Sequence, residues 1–241
     1  MENSTRYTQL SAIYDAGSFF YGVFEGKEMR SSKLIRFEQL PKFKSEVSKK
    51  IAVRNSFFSI LPNKAYDQKV KLKVLKSIPG FLNLKNPIVM ENEIDDHTIT
   101  VWGMEKSNYT SIKELKDVKS LMHFSSAFIQ ACLFKKQDGI YFHVFGKNVD
   151  VALIINGKLE LYNLISCHDK QDLLYYTMYF KTQSNLDNVN VYLSGECNKL
   201  QQDFVKGYVE NVDVFTLDFS IPAIFKAKEF YTGIEAVQLC E

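Results

Sequence analysis

The chain has 241 residues, 46% of them apolar and 14% aromatic, with thirty Lys and Arg against twenty-eight Asp and Glu for a net charge of +2. That composition excludes an intrinsically disordered chain, and the near-neutral total supplies no whole-molecule field calling for nucleic acid or an anionic membrane. With no basic-then-apolar signal at the start, no apolar run of membrane-spanning length, and Cys132, Cys167, Cys197 and Cys240 scattered as reduced thiols, a soluble cytoplasmic protein is expected.

From the N-terminus, Leu10–Tyr14, Phe19–Phe24 and Met29–Phe37 form three apolar runs broken by Asp15-Ala16-Gly17-Ser18 and Glu25-Gly26-Lys27. Such a pattern predicts an antiparallel three-strand meander. Pro41 suits a helix start, with Phe43, Val47, Lys50 and Ile51 at helical spacing, and Phe57–Leu61 then reads as a strand stopped by Pro62-Asn63. Residues 64–108 diverge. Within them Lys69-Val70-Lys71-Leu72-Lys73-Val74 alternates strictly, which predicts a strand with three lysines on one face: a phosphate- or acid-binding strip or, favoured, a guarded solvent-facing edge. Pro87–Glu93 and Thr98–Met104 pair across Asp95-Asp96-His97, a polar hairpin tip to which no metal is assigned. A short helix from Ser111 to Asp117, a strand at Leu121–Phe124 and a helix from Ser125 to Lys136 lead to Asp138-Gly139, the expected boundary between lobes 1–138 and 139–241.

Beyond it the pattern is most complete. Ile140–Phe145, Val149–Ile155 and Leu159–Ile165 form a second meander, turned at Gly146-Lys147-Asn148 and Asn156-Gly157. A helix from Asp169 to Gln183, a strand at Val189–Leu193, a helix from Asn198 to Val209 with a Leu200, Phe204, Tyr208 stripe, and a strand at Val212–Leu217 follow. The order is β-β-β-α-β-α-β, and the glycine turns of the two meanders match, which predicts two similar halves. Cys167-His168-Asp169 offers nucleophile and base types, but neighbours in sequence rarely converge as a triad, and helix capping by Ser166 or Asp169 accounts for them better. The 169–183 helix, with Leu173, Tyr175, Tyr176, Met178, Tyr179 and Phe180, has almost no polar face. It needs cover on more than one side, and Tyr175 and Tyr179 are the positions expected to meet a protein partner.

A three-strand meander followed by alternating helix and strand, present twice, resembles the ribonuclease H-like fold as duplicated in the actin, hexokinase and Hsp70 superfamily. It is most similar to the small actin-like scaffolds of type IV pilus and type II secretion machines. More narrowly, Leu161-Tyr162-Asn163, Asp172-Leu173-Leu174-Tyr175-Tyr176, Leu193-Ser194-Gly195-Glu196 and Cys240-Glu241 resemble a family of uncharacterised bacterial proteins of this length. The superfamily resemblance implies a nucleotide site. Its first phosphate loop, Asp-x-Gly-Ser/Thr, is matched by Asp15, Gly17 and Ser18; the second is met by Gly146 and Lys147, without the expected Asp; the adenosine loop falls on Ser194 and Gly195, followed by Glu196 in place of a second glycine.

Two of three motifs are therefore incomplete, and neither a catalytic base nor a metal ligand beyond Asp15 can be nominated. The expected function is a non-catalytic actin-like scaffold that binds another protein and needs no cofactor. The alternative is weak Mg-ATP binding or an ATPase through Asp15–Ser18 and Lys147. Nucleic-acid binding through Lys69, Lys71 and Lys73 stands third, against the near-neutral charge.

Overall fold

Runs of apolar residues around the Asp15–Ser18 turn build β1 (Thr8–Asp15) and β2 (Ser18–Glu25), which pair antiparallel, and β3 (Glu28–Arg36) pairs antiparallel with β2. The computed structural model describes residues 8–36, 47–65, 67–184, 188–197, 199–223, 225 and 228–240. β4 (Ser48–Arg54) runs parallel to β1, and β8 (Val118–His123) runs parallel to β4, giving the sheet order β3-β2-β1-β4-β8. Between β4 and β8 the chain inserts a second sheet, β5 (Phe58–Pro62), β6 (Pro87–Asp95) and β7 (Thr98–Glu105), in the order β5-β7-β6 and antiparallel throughout, with helices α1 (Gln68–Lys76) and α2 (Lys106–Lys113). α3 (Phe124–Phe134) follows β8 directly.

The second meander is β9 (Gly139–Phe145), β10 (Asn148–Ile155) and β11 (Lys158–Ser166), followed by α4 (Lys170–Ser184), β12 (Val191–Gly195), α5 (Lys199–Lys206), β13 (Val212–Val214) and a final α6 (Thr232–Leu239). Its sheet order, β11-β10-β9-β12-β13, repeats the first sheet position for position, with β12 parallel to β9 as β4 is to β1. Even the irregularities recur. Each second hairpin carries a register shift just before the end of its middle strand, at Val23/Phe24 and at Leu153/Ile154. The β10–β11 turn puts Asn156 at φ 53° and Gly157 at φ 69°, the left-handed pair that a two-residue hairpin needs. Asp138 holds it from below, its carboxylate accepting the Asn156 and Gly157 amides at 2.7 and 3.0 Å. Two mixed sheets of ribonuclease H-like order, as the sequence predicts, are thus present.

The chain divides into two compact units, residues 1–127 with 237–241, and residues 128–236; the division falls within α3, ahead of Asp138-Gly139. In the first, Leu10, Ala12 and Tyr14 of β1, Ile51 and Val53 of β4, and Trp102 and Met104 of β7 share one core. In the second, Ile140, Phe142 and Val144 of β9 and Val191 and Leu193 of β12 pack under Leu173 and Phe180 of α4 and Val205 of α5. On the other face of that sheet Tyr141 stacks on Tyr192 at 4.6 Å and meets Phe215 edge-on at 5.0 Å. No described helix is long and apolar enough to cross a membrane.

Several sequence expectations give way to tertiary structure. Lys69–Val74 is helical in α1, not a strand: Val70, Val74 and Leu75 turn inward at helical spacing, and the Asp67 carboxylate caps the first turn by accepting the Lys69 amide at 3.0 Å. Val47, Lys50 and Ile51 do not share a helix, because Lys50 and Ile51 lie in β4; Pro41 and Phe43 lie outside the described residues. Both lysines of β4 are used inward. Lys49 Nζ donates to the Val47 and Lys116 carbonyls at 2.9 and 2.7 Å, and Lys50 Nζ donates to the Gln238 carbonyl at 3.1 Å and to that of Cys240. The Phe57–Leu61 strand exists as β5, but in the inserted sheet. Among the described side chains of α5 and the turn after it, Val205 and Val209 are buried while Phe204 is half-buried and Tyr208 exposed, so these two members of the expected Leu200, Phe204, Tyr208 stripe do not carry the core face; the Leu200 side chain lies outside what is described. Removing the α1 cap with Asp67→Ala should lower unfolding free energy in urea by about 1 kcal/mol. An unchanged midpoint would contradict the capped helix.

Candidate functional site

Ligands of parallel α/β sheets meet the carboxyl ends of the strands, and the residues nominated from sequence fall at those ends in each unit. In the first, β1 ends at Asp15, and Ala16 (φ 44°) and Gly17 (φ 83°) form a left-handed turn before Ser18 opens β2. A side chain at position 17 would meet nothing within 4 Å, so glycine answers backbone conformation rather than crowding.

The parallel register brings Arg54, the last residue of β4, opposite Asp15. Arg54 Nη1 lies 3.4 Å from Asp15 Oδ2, with the arginine side chain 2% exposed and the aspartate 24%. The guanidinium also sits 6.0 Å from the Phe124 ring centre. Next in line is His123, which ends β8 opposite Val53. Its Nε2 donates to the Asn55 carbonyl at 3.2 Å, and its Nδ1 accepts from Ser125 Oγ at 2.7 Å and the Ser125 amide at 3.2 Å. Only a neutral ring satisfies this arrangement. Burial, reinforced by the Arg54 charge, drives the His123 pKa down to about 3 against the hydrogen bond to Asn55. Asn92 Oδ1 completes the cluster, accepting Trp102 Nε1 at 2.7 Å and the His123 amide at 2.9 Å.

The second unit brings Gly146, Ser194 and Gly195 to one end of its sheet. The Gly146 amide, in the β9–β10 turn, donates to Glu196 Oε2 at 2.8 Å, and the Glu196 amide donates to the Val144 carbonyl at 2.8 Å. Gly195 has φ 79°, and a Cβ there would lie 2.1 Å from the Val144 carbonyl oxygen. Its glycine is required by contact between β12 and β9. Ser194 is fully buried between strands, its Oγ donating to the Phe142 carbonyl at 3.0 Å and lying 3.0 Å from His143 Nδ1. Lys147 is exposed; its carbonyl accepts the Cys167 amide at 2.7 Å.

Cys167, His168 and Asp169 do not assemble as nucleophile and base. Asp169 Oδ1 accepts the Gln171 and Asp172 amides at 2.9 and 3.0 Å, while Asp172 Oδ2 accepts the His168 amide at 2.8 Å, a reciprocal cap at the start of α4. Burial pushes the Cys167 thiol up to about 11, and Cys197 and Cys240 up to about 12, far from thiolate chemistry. Among the described residues no group of three or more His, Cys, Asp or Glu is placed to hold a metal ion.

α4 itself is two-faced. Leu173, Thr177 and Phe180 are buried and Tyr176 packs against the core, whereas Tyr175 is 64% exposed and Tyr179 46%, their rings stacked at 6.4 Å with Met178 exposed beside them. Arg54 and His123 are the site residues that sequence reasoning passed over. Arg54 closes the apolar run Ile51-Ala52-Val53, a signal readable only once that run is taken as a buried parallel strand.

Solved structures similar across nearly the whole chain share this architecture. A Bacteroides thetaiotaomicron protein with actin-like ATPase fold and unknown function matches with a TM-score of 0.76 at 17% identity, covering 100% of both chains. The PilM-PilN type IV pilus biogenesis complex matches with a TM-score of 0.63 at 11% identity, covering 97% of this chain and 98% of that one. The cytoplasmic domain of EpsL, an inner membrane component of the type II secretion system of Vibrio cholerae, matches with a TM-score of 0.59 at 10% identity, covering 96% and 94%. At these identities the likeness establishes the fold, which is actin-like. No curated protein matches the sequence. The profile of the family described as protein of unknown function (DUF3822) spans residues 33–212, about three quarters of the chain, and the chain belongs to that family.

Proposed function

We propose that this protein is a non-catalytic actin-like scaffold with a degenerate nucleotide site, which works by binding another protein. The observation that carries the reading is that the groups a nucleotide would use are engaged within the chain. Asp15, the carboxylate of the Asp-x-Gly-Ser turn, faces the buried Arg54 guanidinium at 3.4 Å, so turning it toward Mg²⁺ would give up that ion pair. The Gly146 amide, which would meet a phosphate, is held by the Glu196 carboxylate. Ser194 and Gly195 are committed to β9. The residues present do not fit Mg-ATP, and no step of phosphoryl transfer is assigned to them.

A protein partner fits the aromatic face of α4, where Tyr175 and Tyr179 present large rigid rings to solvent while Leu173 and Phe180 fix the helix from beneath. The PilM structure is that of a complex with PilN, and EpsL is a component of a secretion system, so proteins of this fold do serve in assemblies. Four buried free cysteines suit the cytoplasm. Weak ATP binding is favoured by one feature, the open Asp15–Ser18 turn with nothing crowding Gly17.

Thermal melting separates the two readings. A ligand at a hundred times its Kd adds about 2.7 kcal/mol, which for a chain of this size raises Tm by about 5–10 °C. Saturating Mg-ATP is expected to leave Tm unchanged. A rise abolished by Asp15→Ala would establish the nucleotide reading instead. For the docking face, Tyr175→Ser with Tyr179→Ser should leave Tm within about 2 °C, as exposed positions do, while proteins recovered with the wild type from host extract are lost and fail to bind the purified variant. A large drop in Tm with partners retained would make α4 part of the core only.

A further inference from the structure

We infer that α1 and the 3-10 turn after it form a docking face for an anionic lipid bilayer, a surface separate from the α4 face and from the strand ends. The charge is concentrated there: residues 64–85 hold six lysines and one aspartate, a net +5 in a chain whose total is +2, leaving −3 for the remainder. A near-neutral sum conceals a strongly basic segment.

The helical geometry, which replaces the strand read from sequence, decides how that charge is presented. In α1, Lys69, Leu72, Lys73 and Lys76 stand at i, i+3, i+4 and i+7, so they share one face, and all four are exposed. The opposite face is spent on the fold through Val70, Val74 and Leu75, and Lys71, off the exposed stripe, is paired with Glu91 at 3.2 Å. After Pro79-Gly80 the chain makes a single 3-10 turn in which Phe81 is buried and Leu82 points out, 70% exposed, with Lys85 exposed beyond it. Leu72 is itself 41% exposed. One exposed leucine therefore stands among the lysines of α1 and a second projects from the turn that follows, on a segment anchored by Val70, Val74, Leu75 and Phe81.

The side-chain types select the occupant. Protein interfaces concentrate their energy in Trp, Tyr and Arg and are depleted in Lys, and this segment has no described exposed aromatic and no arginine. Reading or stacking on bases would call for guanidinium forks or exposed aromatic rings, and the segment has no arginine and no exposed aromatic among its described residues. Lysines on flexible stems around exposed aliphatic groups suit a diffuse anionic plane with an apolar layer below it: the ammonium groups stay at the headgroups while leucine enters the acyl boundary. Each lysine near such a surface adds to the attraction.

Vesicle flotation of the full chain tests the inference. Vesicles of phosphatidylcholine with an equal part of phosphatidylglycerol should carry the protein, and vesicles of phosphatidylcholine alone should not. Reversing the stripe with Lys69→Glu, Lys73→Glu and Lys76→Glu should weaken binding at least about a hundredfold at low salt, with Tm unchanged. Leu72→Ser with Leu82→Ser should keep low-salt binding but let moderate salt release the protein that wild type retains. Equal flotation with both vesicle types, or a charge-reversed variant that binds as wild type does, overturns the inference. So does failure to float on anionic vesicles, and polyglutamate binding by such a chain would make the face a site for acidic protein.

Discussion

A guanidinium held at 2% exposure has to be answered by polar or anionic groups, and the register of the first sheet sets one carboxylate beside it. β1 and β4 run parallel with Asp15 opposite Arg54, so the charge at the end of β4 is met by the carboxylate at the end of β1. The ordering of that corner follows. With Asp15 and Arg54 in place, the neighbouring His123 is held neutral by Ser125 and Asn55, and Asn92 ties the His123 backbone to Trp102 in the inserted sheet. A buried polar network is stable only when every member is satisfied. Here the members satisfy one another at the strand ends.

The second unit reaches a similar result with different residues. Its hairpin amide at Gly146 faces Glu196, an anion supplied by the segment that follows β12, and Gly195 lets β12 approach the Val144 carbonyl closely enough to make that contact. Salt bridge in one unit and carboxylate-to-amide bond in the other are distinct chemistries. The sheet order and the register shifts are nonetheless the same in both units.

Much of the architecture was legible because the meanders announce themselves: apolar runs of strand length, and turns at Gly17, Gly26, Gly146 and Gly157 that only a few residue types close. The lysine-rich segments were misread for a physical reason. In β4, Lys49 and Lys50 donate inward to backbone carbonyls, whereas in sequence Val47, Lys50 and Ile51 continue a helical spacing from Phe43. In α1, six alternating residues fit a strand, but Val74-Leu75 breaks the alternation and, with Asp67 ahead of the first turn, sets the helical period. At the candidate site the incomplete loops were visible as missing motif residues, and Glu196 as an anion out of place. Arg54 was not, since its partner across the sheet depends on a parallel pairing of strands 39 residues apart that no local pattern encodes.

On the proposed reading, Arg54 and Glu196 engage the groups that would otherwise meet a nucleotide's metal and phosphates. A crystal structure grown with Mg²⁺ and a non-hydrolysable ATP analogue tests it most directly. Density is expected for the Arg54 to Asp15 and Glu196 to Gly146 contacts unchanged, with no ordered nucleotide. Phosphates seated on the Gly146 or Gly17 amides, with Glu196 swung away or Asp15 turned from Arg54 toward a metal ion, would contradict it.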